Sequence, residues 1–128
     1  MKICVSASSD SLDANVDSRF GRCPYFVIVD SETMEYTVVS NDSGNAAHGA
    51  GIQAAQTVAN MGVKVVLTGN VGPNAFNVLS ATGIKIVTGA SGNVRDAIEK
   101  FKNGQLKEVG SPTVGGHFGM GRGSGKGR

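Results

Sequence analysis

The side chains able to hold a ligand are few, and they fall close together. Arg19 and Arg22 flank Phe20-Gly21, Cys23 follows at once, and His48 stands directly before Gly49-Ala50-Gly51. Further on, Gly69-Asn70-Val71-Gly72 leads into Pro73, and His117 lies near the end of the sequence. Arginine supplies a fixed positive charge, glycine lets main-chain N–H groups approach a ligand, and imidazole or thiolate supplies a metal bond. These types suit an anion held by charge and main-chain N–H groups, or a metal held by a side-chain bond. They do not suit a closed cage, because two histidines and two cysteines fall short of a zinc pattern or of four thiolates for an iron-sulfur cluster. A histidine in a loop is ordinarily solvated, and Cys4, in mid-strand, reads as a small core residue. His48 and Cys23 stand out only because they share a predicted rim with the arginines.

Known reaction machinery is hard to place on this sequence. Gly49 to Ala54 has the G-x-G-x-x-A spacing of a dinucleotide site, but no strand ends directly before it. Gly125-Lys126 lacks the Ser or Thr of a phosphate-binding loop. Asp10, Asp13 and Asp17 sit in a loop and do not converge from neighbouring strands as a two-metal site requires; Asp17 beside Arg19 reads as a loop ion pair. No G-x-S-x-G or Ser-His-Asp grouping is present. The expectation is a binding protein and not an enzyme.

The elements that position these residues follow from periodicity. Residues 2–7 alternate as a strand, 25–30 (YFVIVD) read as a strand buried on both faces, and 35–40 return as its hairpin partner. From Ile52, apolar Ala55, Val58 and Ala59 make one face of a helix that ends at Gly62. Residues 63–68 and 84–88 are short β-branched runs, each preceded by a helix, the second of which opens at Pro73 and buries Ala75, Phe76 and Leu79. Asn93, with Asp96 three residues on, predicts the start of a third helix running to Gly104, and residues 105–109 a short edge segment.

Right-handed crossovers then run the first, third, fourth and fifth strands in one direction and the second against them. Loops 8–24, 41–49, 69–73 and 89–93 therefore gather at one end of an α/β sheet, where open sheets place their ligands. That rim holds Arg19, Arg22, Gly49, Gly51, Asn70 and Gly72 as candidate anion contacts, with His48 and Cys23 as candidate metal ligands. His117 is a third candidate, from a tail able to close over the site.

At 128 residues the chain has the length of one domain, here residues 1–110. Residues 111–128 contain seven glycines, Arg122, Lys126 and Arg128, and no acid, so they read as a disordered basic tail. The tail supplies +3 of the net +2, leaving −1 on the domain, a balance that argues against nucleic acid as a partner. No apolar run approaches the length of a membrane span and no signal-peptide pattern is evident, so the expected location is the cytoplasm.

The segments Val16-Asp-Ser-Arg-Phe-Gly-Arg-Cys-Pro-Tyr-Phe-Val-Ile-Val-Asp30, His48-Gly-Ala-Gly-Ile-Gln-Ala-Ala55 and Thr68-Gly-Asn-Val-Gly-Pro-Asn-Ala-Phe76, in that order, resemble the dinitrogenase iron-molybdenum cofactor biosynthesis family over about residues 1 to 108. Cys23 departs from the small residue expected at its place. The resemblance implies a three-layer ribonuclease H-like domain with helices on both faces, sheet order 3-2-1-4-5 and strand 2 antiparallel. It implies a non-catalytic binder or carrier of an iron-sulfur or molybdenum-containing cluster. The expected partner is a protein that donates or accepts the cluster, and the expected state a monomer or weak homodimer. The competing expectation is a small-anion or nucleotide sensor acting through a protein partner.

Overall fold

The computed structural model describes residues 1–42 and 49–113. Its elements run β1 (Lys2–Ala7), β2 (Tyr25–Asp30), β3 (Tyr36–Ser40), α1 (Ala50–Ala59), β4 (Val65–Leu67), α2 (Pro73–Ala81), β5 (Lys85–Val87) and α3 (Val94–Lys102). One five-stranded sheet has the order β3-β2-β1-β4-β5. β2 pairs antiparallel with both β1 and β3, while β4 runs parallel to β1 and β5. This is the mixed α/β topology that the sequence predicts.

Strand alternation divides the core in two. Cys4, Phe26, Ile28, Val66 and Ile86 face α1 and α2, and join Ala54, Ala55, Val58, Ala75 and Leu79. Ile3, Val5, Val27, Val29, Val65, Leu67 and Val87 face α3, and join Val94, Ala97 and Ile98. Successive strand residues point to opposite faces, so strands this rich in Val and Ile need a helix layer on each side. Three layers result.

Helix boundaries follow their sequence signals, with one shift. Asn93 Oδ1 accepts the Asp96 N–H at 2.8 Å, and Pro73 occupies the first turn of α2. Gly62, Gly83 and Gly104 all take positive φ just past the helices, the left-handed conformation that ends a helix without a Cβ clash. α1 begins at Ala50, two residues before the predicted start. Its buried face is consequently Ala50, Ala54, Ala55 and Val58, and Ile52 stays half-exposed.

The packed domain also extends past residue 110. Val109 N–H donates to Ile86 O at 2.8 Å, which puts the predicted edge segment beside β5. Thr113 N–H then donates to Val71 O at 2.9 Å, and Val71 N–H donates to Thr113 Oγ1 at 2.8 Å. Residues 111–113 are therefore held against the β4–α2 loop and do not belong to a disordered tail. The rest of the predicted tail, residues 114–128, lies outside the described residues.

Candidate functional site

β1 is the point where the chain order reverses: β2 lies on one side of it and β4, reached through α1, on the other. Loops leaving such neighbouring strands diverge and open a crevice at their carboxyl ends. Here the loop after β1 and the loop after β4 are joined by their main chains. Asn70 N–H donates to Ser18 O at 2.8 Å, and Phe20 N–H to Asn70 O at 3.4 Å. Beneath them Ser6 Oγ donates to Asp17 O at 2.6 Å, so its 2.7 Å contact with Thr68 Oγ1 makes Thr68 the donor. Both hydroxyls are fully buried. This chain of bonds ties the ends of β1 and β4 to the segment carrying Arg19.

Glycine allows the loops to come that close. A Cβ on Gly69 would stand 2.6 Å from Ser18 Cα, and one on Gly21 would stand 2.9 Å from Gly51 Cα. Any side chain there would separate the loops. The space left between them and the starts of α1 and α2 is an open cleft of about 460 Å³.

All six predicted anion contacts line this cleft: Arg19, Arg22, Gly49, Gly51, Asn70 and Gly72. Sequence reasoning missed Ser18, Asn74 and Ala75. The last two follow from Pro73, since a proline at a helix start means the next two residues present first-turn amides. Ser18 carried no comparable signal.

The two helix ends at the cleft are built unlike the third. α3 starts with an asparagine cap and an acid in its first turn. α1 and α2 start from Gly49 and Gly72, with no side-chain cap and no acid in the first turn among the described residues. The partial positive charge of each of these helix starts is thus directed toward the cleft. The lining also includes two arginines and, among the described residues, no carboxylate.

Asp17 sets the position of one of those arginines. Its carboxylate takes Arg19 Nε and Nη2, each at 3.1 Å, and the Arg19 N–H at 2.9 Å. Partial burial pushes the Asp17 carboxyl up, but these bonds and the adjacent charge outweigh it and hold the group below its usual range. The guanidinium is largely exposed, so the ion pair contributes little stability; it fixes the direction of the side chain.

The structure corrects the expectation for Cys23. Its side chain is fully buried among Phe20, Phe26 and Cys4, it does not line the cleft, and Sγ donates to Phe20 O at 3.1 Å. Burial, reinforced by the nearby Asp17 charge, pushes the thiol up to about 12. The structure thus places Cys23 in the core beneath the rim and not among the residues that line the cleft. Cys4, equally buried, is also raised well above its usual value, chiefly by burial. We expect neither thiol to react with iodoacetamide at pH 7.5 in the native protein, and both to react in guanidinium. Fast native labelling at one site would contradict this placement.

His48 and His117 lie outside the described residues. Among the described residues no three His, Cys, Asp or Glu side chains group as a metal site, and no helix is long and apolar enough to cross a membrane.

Comparison with known proteins places this architecture. The orange protein from Desulfovibrio gigas, solved in its apo form, is 45% identical, superposes with a TM-score of 0.85, and is matched over 88% of this chain and 95% of its own. A Thermotoga protein described as a candidate NifB protein is 35% identical with a TM-score of 0.77, over 88% of this chain and 96% of its own. An uncharacterized protein of Methanocaldococcus jannaschii is 32% identical over 111 residues, 84% of this chain and 91% of its own. The family described as dinitrogenase iron-molybdenum cofactor matches residues 1–104. With the cleft motifs falling inside that span, the chain belongs to the dinitrogenase iron-molybdenum cofactor family.

Proposed function

We propose that the protein binds an anionic iron-sulfur or molybdenum-containing cluster in the cleft between the β1 and β4 loops and passes it to a protein partner, without catalysing a reaction. The observation that carries this reading is the contrast between helix ends. α3 has its own cap and acid, whereas α1 and α2 start from Gly49 and Gly72 at a cleft lined by Arg19 and Arg22, with no side-chain cap and no first-turn acid among the described residues. A metal-sulfur cluster with excess negative charge fits that lining, and a cation does not.

Transfer requires that the cargo be released. Charge and main-chain N–H groups hold an anion without the bond-breaking that a four-thiolate cage would impose. His48, next to Gly49 in the sequence, is the proposed nitrogen ligand, with His117 as a second. The relatives' names support a link to iron-molybdenum cofactor chemistry; the cluster itself is inferred from the cleft.

The test is anaerobic purification followed by metal and acid-labile sulfide analysis and visible spectroscopy, with and without added tetrathiomolybdate, the simplest molybdenum–sulfur dianion. Stoichiometric metal and sulfide, displaced weakly by inorganic phosphate or ATP, support the reading. Tight phosphate or ATP binding with no retained metal would replace it with an anion sensor. His48→Ala is expected to lower tetrathiomolybdate retention about tenfold, read by gel filtration and absorbance.

A further inference from the structure

The end of the sheet opposite the cleft carries an ordered row of charges. Asp30 N–H donates to Glu35 O at 2.9 Å, Lys2 pairs with Asp30 across β1 and β2, and Lys64 N–H donates to Lys2 O at 2.9 Å. Residues paired in this way share a face of the sheet. Read across β3, β2, β1 and β4, the signs are therefore minus, minus, plus, plus. Asp30 is partly engaged, since its Oδ1 accepts the Glu32 N–H at 2.9 Å and lies 3.9 Å from the Met1 ammonium. Glu35, Lys2 and Lys64 are exposed and have no ion-pair partner among the described residues. We propose that this row is the contact surface for a second copy of the chain, giving a symmetric dimer whose two clefts lie at its far ends.

The order of the signs selects the occupant. A two-fold axis through the middle of the row sets Glu35 opposite Lys64 of the other copy and Asp30 opposite its Lys2, and each contact occurs twice. A partner of uniform charge would match one half of the row and be repelled by the other; a second copy matches both halves. Apolar surface lies beside the charges. A groove of about 630 Å³ is lined by Lys2, Asp30 and Glu35 together with Met34, Tyr36 and Met61. Tyr36, at 45% exposure, and Met1, at 50%, are the exposed large apolar side chains among the described residues, and both adjoin the row in sequence. Four strands at about 4.8 Å spacing make a row about 14 Å long, which suits a small, reversible interface.

This inference does not depend on what the cleft holds, and its test is the oligomeric state of the full chain. Sedimentation of wild type, Lys64→Glu and Glu35→Lys is measured over a concentration series, in low and in high salt. Both substitutions are at exposed positions away from the Asp30 turn, so circular dichroism should show the fold unchanged. Wild type should dimerise in low salt and dissociate as salt is added. Either variant alone sets like charges opposite one another at both symmetric contacts and should weaken dimerisation at least about tenfold. Mixing the two variants in equal amounts restores an opposite pair at each contact, so the mixture should associate within about threefold of wild type. Wild type still monomeric at about 1 mM protein in low salt overturns the proposal and leaves the row to a partner of different sequence. Variants that dimerise as well as wild type place the contact on another face. Two weakened variants whose mixture does not recover rule out the two-fold pairing of Glu35 with Lys64.

Discussion

Gly69→Ala should lower the stability of the fold by about 3 kcal/mol or more, a fall in melting temperature of about 10 °C. The added Cβ would lie 2.6 Å from Ser18 Cα and 2.8 Å from Ser18 Cβ. No rotamer relieves a clash with main chain, so the β1 and β4 loops must part. Parting them breaks the 2.8 Å bond from Asn70 N–H to Ser18 O and moves Arg19 away from the helix ends. Gly51→Ala is the informative contrast. Its Cβ would meet Ala75 Cβ at 3.4 Å, a tight but adjustable contact, and alanine favours a helix by up to about 1 kcal/mol. Gly51→Ala should therefore stay within about 1 kcal/mol of wild type. Thermal unfolding of both variants checks the pair; similar melting temperatures would mean that the loops are not held as described.

Removing both cleft arginines, as Arg19→Gln/Arg22→Gln, should weaken tetrathiomolybdate binding about a hundredfold, taking about 1.5 kcal/mol for each charge-assisted contact. The fold should be unaffected, since both side chains are exposed. Asp17 allows a sharper test. Arg19→Gln alone leaves the Asp17 carboxylate beside the cleft without its ion-pair partner, whereas Asp17→Asn/Arg19→Gln removes the pair together. The double variant should therefore bind more tightly than the single one. Equal affinities would mean that the charge at this edge does not act on the ligand. The pair's pH dependence also has a definite sign. Because the folded-state carboxyl is lowered, its contribution is present above the unfolded value near about 3.9 and is lost only as pH falls through the folded value. Arg19 should thus remain positioned throughout the neutral range.

The topology was legible in the sequence because each strand carries its own signal. Runs such as YFVIVD leave few alternatives to a doubly covered strand, and the repeated glycine-bounded runs at 63–68 and 84–88 demand crossover helices. Direction and handedness then carry distant loops to one rim. The six residues expected on the rim were brought to one cleft by that geometry and not by a motif. Cys23 was misjudged because its neighbours in sequence, Arg22 and Pro24, are exposed while it turns inward under Phe20. A one-dimensional reading does not distinguish the inward residue of a loop from the outward one. Thr113 was obscured by composition: it bonds to Val71, 42 residues away, through its N–H and its Oγ1, a long-range tie from a glycine-rich stretch that periodicity does not reveal.

The unequal ends of the helices have a consequence for how the empty protein behaves. A helix start lacking a side-chain cap frays before the rest of the domain, so amide hydrogens in the first turn of α2 should exchange sooner than those of α3. An anion bound there would satisfy that helix start, and its occupancy would become part of the folding equilibrium, adding roughly 2.7 kcal/mol at a hundredfold excess over Kd. Filled and empty molecules should then differ in rigidity at the cleft, the empty one being the softer.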